Sequence, residues 1–169
     1  MKTSFRPSFQ DFHKDVERYL KSEGTCEKNE HGQTVYRGYP AALARMFRTY
    51  IENEAFTPLV AEFRTWNWEW NYDDYLLELS SRLQQKHDWP LLKELWAAVV
   101  AKRRTNYNKT KQAQEAFPER IPEELVTKTK DLLLESLDRL HQYASEFGCE
   151  SDIKEHSAMM VRVEKRMKA

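Results

Sequence analysis

The chain has 169 residues, 27 Lys and Arg balanced by 27 Asp and Glu, 12% aromatic residues, and only four Gly and six Pro. Zero net charge argues against a protein that lives on nucleic acid or anionic membrane, whose affinity rests largely on a basic surplus. So few turn residues exclude a β-rich fold, which needs a turn signal roughly every ten residues.

Two cysteines, Cys26 and Cys149, are too few for a disulfide framework and lack metal-site spacing, so both are expected as free thiols. Residues Met1 to Pro7 carry no apolar stretch of the signal-peptide kind, and no window approaches eighteen consecutive apolar residues. The expectation is a cytoplasmic protein without a membrane segment, folded as one helical domain over 1–169.

The first helix is predicted over Phe9–Ser22, with Ser8 as N-cap, Asp11 at the third position and Gly24 as the stop. Its apolar face is Phe9, Phe12, Val16, Tyr19 and Leu20. Residues 24–39 hold three of the four glycines and no helical period, which reads as a loop with a short extended segment at Gln33–Tyr36. Pro40 opens a helix with the stripe Leu43, Met46, Phe47, Tyr50 and Ile51.

Thr57-Pro58 restarts the chain, with Thr57 as cap, and Leu59, Phe63, Trp66 and Trp70 align if that helix continues. Asn71 and Asp74 cap the next, whose inward residues are Tyr72, Tyr75, Leu76, Leu79 and Leu83. Asp88-Trp89-Pro90 begins another, reaching Glu115, with Leu92, Leu95, Trp96, Val99, Arg103 and Tyr107 on one face.

The proline-bounded stretch 116–122 is a linker. The helix Glu123–Phe147 follows, with Leu125, Thr129, Leu132, Leu133, Leu137, Leu140, Ala144 and Phe147 inward and Gly148 at its end. Asp152 and Glu155 have capping-box spacing for a last helix, along which Ile153, Met160, Val163 and Met167 align. The fold class is therefore all-α, with six to seven helices arranged as stacked antiparallel hairpins or as an irregular α-bundle. Setting Pro58 against Pro90 pairs Leu43 with Tyr75, Phe47 with Leu79 and Ile51 with Leu83. That offset is close to one tetratricopeptide-type unit, although the small residues such units place at helix contacts are mostly missing.

No nucleophile elbow, phosphate loop, Cys-x-x-Cys or His-Glu-x-x-His occurs, so no catalytic residue, metal site or cofactor is predicted. Asp138 and His141 have the spacing of a metal half-site or an oriented base, and equally of an ordinary surface pair. His156 sits in the middle of the last helix's apolar stripe, where Asp152 is placed to orient its ring; a core histidine reads the same way.

The basic segment Lys102, Arg103, Arg104, Lys109 and Lys111 is the strongest nucleic-acid signal, interleaved with Asn and Tyr. On the wheel its charges straddle the apolar stripe instead of converging, which also describes two snorkelling rims. Trp68, one turn from Arg64, has the composition of a binding hot spot, or else packs between hairpins. Leu77 and Leu134 point away from their helices' main stripes, and Ala97, Ala98 and Ala101 line an outer face that another helix can approach.

The function expected from this pattern is protein binding. An adaptor, a regulator or a neutralising partner of another protein fits, recognising its target through Arg64, Trp68, Leu77 and Leu134, and a homodimer fits the same residues. The alternatives are RNA binding through Arg103, Arg104, Lys109 and Lys111, and a helical-bundle enzyme or metal protein using His141 or His156.

Overall fold

The computed structural model describes residues 4–24, 26–65 and 72–168, leaving aside the side chains of Cys26 and Tyr36. Among them the fold is all-α: α1 (Phe12–Ser22), α2 (Tyr39–Glu52), α3 (Phe56–Phe63), α4 (Tyr72–Gln85), α5 (Trp89–Ala116), α6 (Glu123–Phe147) and α7 (Glu150–Lys168). A small antiparallel ribbon, β1 (Cys26–Lys28) with β2 (Thr34–Tyr36), is the one exception, with Glu27 opposite Val35. No helix among the described residues is long and apolar enough to cross a membrane. The chain divides into two compact units, 1–82 and 83–169.

In the first unit α1 starts three residues later than its apolar period predicts. Asp11, not Ser8, is the N-cap, accepting from the Lys14 amide at 3.0 Å. Ser8 is instead tied to Asp15, whose carboxylate accepts the amides of Ser8 and Phe9 at 2.9–3.1 Å. Phe9 takes a positive φ of 57°, which turns its ring onto Tyr50, 5.1 Å between centroids. Gly24 ends the helix as expected, at φ 69°, where a side chain would be strained.

Within 24–39 the sequence suggested one extended segment, and the structure adds its partner, β1. Asn29 fixes the turn by accepting the amides of His31 and Gln33 at 3.0 and 2.9 Å. The core of this unit comes from α1, α2, α3 and α4, where Phe12 packs edge-on against Phe47 and Tyr50 and Phe63 against Tyr72. Thr57 lies within the first turn of α3, and Ala55 occupies the N-cap without a side-chain bond. The predicted continuation through Trp66 and Trp70, and the cap at Asn71, fall outside the described residues.

The second unit is a three-helix bundle. Trp96 of α5 meets Tyr143 of α6, and Arg103 meets Leu132, so the two helices run antiparallel. Trp89 and Lys93 of α5 meet Asp152 and Glu155 near the start of α7, which runs parallel to α5. Buried α6 residues are Thr129, Leu133, Ser136, Leu137, Leu140, Tyr143 and Ala144.

Three predicted inward positions of α6 differ: Leu125 is exposed, and Leu132 and Phe147 are half-buried. The wheel places Leu125 on the right face, but among the described residues no third helix covers it. From Asn108 to Lys128 no residue is buried, so the α5–α6 hairpin ends as two helices without a third. Helix there rests on formers such as Lys111, Gln112, Ala113 and Glu115 rather than on packing.

Two helix–turn–helix junctions share their backbone geometry. Glu54 and His87 both adopt left-handed φ, 54° and 53°. Their amides bond to Ile51 and Gln84, and the following amides of Ala55 and Asp88 bond to Tyr50 and Leu83. The turn residue and the following helix start recur at the same distance (54 to 87 and 56 to 89), which is 33 residues. The proline spacing misses this by one, because Pro58 is the third residue of α3 and Pro90 the second of α5. In the 33-residue register buried residues pair: Leu43 with Leu76, Met46 with Leu79, Tyr50 with Leu83, Leu59 with Leu92, and Phe63 with Trp96.

Candidate functional site

The side chains with chemical potential in the second unit gather along the seam of α5 and α7. At its head Asp152 is a hub. The predicted capping box is shifted: α7 begins at Glu150, and the Cys149 amide donates to Asp152 Oδ2 at 3.1 Å from the position before the helix. The same carboxylate accepts from Lys93 Nζ at 2.7 Å, Trp89 Nε1 at 3.1 Å and the exposed Cys149 thiol at 3.2 Å. Lys93 above all, then the Cys149 and Trp89 donors, hold the Asp152 carboxyl well below the usual carboxylate range. Asp152 raises the Lys93 ammonium in turn, against a smaller opposing effect of burial. Both groups keep their charge at neutral pH, and their chemistry is positional: they lock the start of α7 onto α5.

His156 lies one turn further on, 3% exposed, its ring edge-on to Trp89 at 6.4 Å. Asp152 does not orient it, since that carboxylate is engaged by Lys93, Trp89 and Cys149. Among the described residues neither ring nitrogen has a hydrogen-bond partner. Burial chiefly lowers its pKa; Lys93 and His141 add to this, while Glu155 and Asp152 oppose it. His141 stands half-buried, its Nδ1 3.5 Å from the Ser157 hydroxyl, and Asp138 accepts from Gln142 instead. Among the described residues no group of three or more His, Cys, Asp or Glu is placed to share a metal ion.

Further down the seam the predicted basic residues separate. Arg103 is buried as its place on the apolar stripe requires, and its Nη1 donates to the Leu132 carbonyl at 2.9 Å. Lys109 is exposed and Lys111 half-buried, on the part of α5 beyond the bundle. Arg104 alone turns toward α7, where it lines a hollow of about 200 Å³ with Met159, Arg162, Val163 and Arg166. Arg162 and Arg166 were not among the residues the sequence singled out. Their signal was present as an i, i+4 basic pair beside the Val163 stripe, but nothing local says that Arg104 meets them.

The predicted hot-spot residues lie on different elements. Arg64 is exposed at the C-cap of α3, Leu77 is 46% exposed on α4, and Leu134 is half-buried on α6. Trp68 lies outside the described residues. Further apolar side chains are exposed where the wheel gave no reason to expect them: Phe117 (57%) and Leu125 (42%) at the far end of the α5–α6 hairpin, and Val161 on α7. Arg120 lies over the Phe117 ring, 5.7 Å from its centroid. Comparison with protein-family models, with curated proteins and with solved structures finds no match to this chain.

Proposed function

We propose that this chain is a protein-binding helical module that takes its partner at the far end of the α5–α6 hairpin. The observation that carries this reading is the unpacked stretch from Asn108 to Lys128, with Phe117 and Leu125 exposed at its turn. A two-helix segment with no buried side chain gains nothing from an exposed Phe in the free protein. Against a partner the same ring, held by Arg120, offers a rigid aromatic anchor with a charged rim. Leu77, Arg64 and Trp68 remain candidates for contacts of the first unit. An adaptor or a neutralising partner of another protein fits this use, and a second copy of the chain fits it as a partner.

Binding of RNA through Arg103, Arg104, Lys109 and Lys111 is supported less well, because the Arg103 guanidinium is buried and bonded to Leu132.

The test is affinity capture from the native host's lysate at low and high salt, with the unaltered chain and the Phe117→Ala/Leu125→Ala variant. A partner that survives high salt with the unaltered chain and is lost with the variant supports the reading, provided the melting temperature is unchanged. Capture that ignores the double substitution sinks it, as does nucleic acid that leaves at high salt. Retention of a self-associated species, lost in the variant, identifies the partner as a second copy.

A further inference from the structure

Three arginines from two helices line one small hollow, and among the described residues no carboxylate lines it with them. Arg104 reaches it from α5, while Arg162 and Arg166, one turn apart, reach it from α7. Met159 and Val163 supply its apolar side. Among the described residues none of the three arginines has an ion-pair or hydrogen-bond partner, and the Arg104 Nε is shut off from water without an acceptor. Three other cations of the same bundle have carboxylate partners: Lys93 with Asp152 and Glu155, Arg139 with Glu135, and Lys154 with Glu150. The like charges at the hollow repel one another in the free protein, and a buried donor without acceptor adds to the cost.

We propose that this hollow is a binding site for the phosphate group of a phosphomonoester. A phosphate dianion offsets the triple positive charge better than a carboxylate does, and its three terminal oxygens accept from guanidinium forks arriving from two helices. A carboxylate has two coplanar oxygens and is satisfied by a single fork. The hollow, at about 200 Å³, is below the range of roughly 300–1,000 Å³ that encloses a whole organic ligand. It therefore takes the anionic group and leaves the rest of the ligand outside. The diester chain of a nucleic acid suits it less, since each phosphate carries one charge and Lys109 and Lys111 do not line the hollow. The phosphate belongs either to a small free molecule or to a phosphorylated side chain of another protein.

The experiment is calorimetric titration of the full chain in phosphate-free buffer at constant ionic strength. The probes are O-phosphoserine, a short peptide containing phosphoserine, the same peptide unphosphorylated, and acetate. Saturable binding of O-phosphoserine, competed by inorganic phosphate, is expected. It should weaken by roughly tenfold or more in Arg162→Gln and in Arg166→Gln. Lys109→Gln/Lys111→Gln should bind within about twofold of the unaltered chain, as a purely screened effect would not.

Arg162 and Arg166 are exposed, so their variants should fold, and phosphate should raise the melting temperature of the unaltered chain but not theirs. Equal affinity for free and peptide phosphoserine assigns the site to a small phosphomonoester, and tighter peptide binding assigns it to a phosphoprotein. Absence of saturable binding overturns the proposal. So do equal binding by the arginine variants, equal competition by acetate, and binding of a polynucleotide alone.

Discussion

Tyr50 donates its hydroxyl to the carboxylate of Asp15, thirty-five residues away, and the pair is completely buried. The carboxylate also collects the amides of Ser8 and Phe9 and the Arg18 guanidinium at 2.9 Å. One acidic group therefore fastens the segment before α1 and the last turn of α2 to the same point. Burial pushes the Asp15 carboxyl up, but the Tyr50 hydroxyl and the two amides together outweigh it and leave it below its ordinary value. The phenol is pushed strongly up, first by burial and then by its bond to Asp15.

Tyr50→Phe should destabilise the protein by about 1–3 kcal/mol, because a buried acceptor loses its donor. It should also move acid unfolding to higher pH. The folded carboxyl lies below its unfolded value, so its stabilisation is complete above pH about 4 and is lost as the pH falls through the folded value. Removing the phenol raises that folded value. Denaturant titrations between pH 2 and 7 check both effects, and an unchanged acid limb would show that Tyr50 does not hold Asp15 charged.

His156 makes stability pH-dependent in a different window. The unfolded chain gains a proton near pH 6.5 and the folded chain only at lower pH, so stability falls as the pH drops below about 6.5. The slope is at most ~1.4 kcal/mol per pH unit and flattens below the folded value. The groups that set it are Glu155 and Asp152 on α7, Lys93 on α5 and His141 on α6. His156→Leu should remove this slope while leaving stability at pH 8 nearly intact. Persistence of the full slope in that variant would place its origin elsewhere.

Gly148 at the α6–α7 corner has an ordinary φ, yet no room for a side chain. A Cβ there lies 2.7 Å from the Ala144 carbonyl oxygen and 3.0 Å from the Asp152 Cβ. Both neighbours are held, one by its helix and one by Lys93 and Trp89. Gly148→Ala should therefore cost about 1–3 kcal/mol, read as a lower denaturation midpoint at unchanged slope.

The matching turns at Glu54 and His87 make an opposite prediction. Each places a residue with a side chain in the left-handed region, where Gly carries no penalty. Glu54→Gly should raise stability by up to ~1 kcal/mol. His87→Gly also removes the ring contact with Phe147 at 5.6 Å, so its gain falls short of that ceiling. Thermal melts of each variant against the unaltered chain check both.

Most of the helices were legible from period and punctuation. The restart at Asp88-Trp89-Pro90 and the burial of Arg103 both followed from the wheel, since a stripe of Leu92, Leu95, Trp96 and Val99 leaves Arg103 nowhere else to point. What escaped depends on partners distant in the chain. Asp15 lies on the buried face of α1, but an aspartate gives no hint of it until Ser8 and Phe9 fold back to bond it. Leu125 fails in the other direction: its wheel position is inward, and only the absence of a covering helix leaves it wet. Arg162 and Arg166 formed a visible pair whose meaning waited on Arg104.

The missing third helix along the end of the α5–α6 hairpin also sets how that hairpin moves. Leu92, Leu95, Trp96, Val99 and Val100 are buried, and the amides of this stretch exchange with solvent chiefly through opening of the bundle. Amides from Asn108 to Ala116 and from Leu125 to Lys128 need only a local fraying of two exposed helices. A single unbroken helix, α5, thus carries a gradient from near-global protection at one end to almost none at the other. A partner bound at Phe117, as proposed, would draw the steepest change in exchange from the part of the helix that the bundle itself leaves loose.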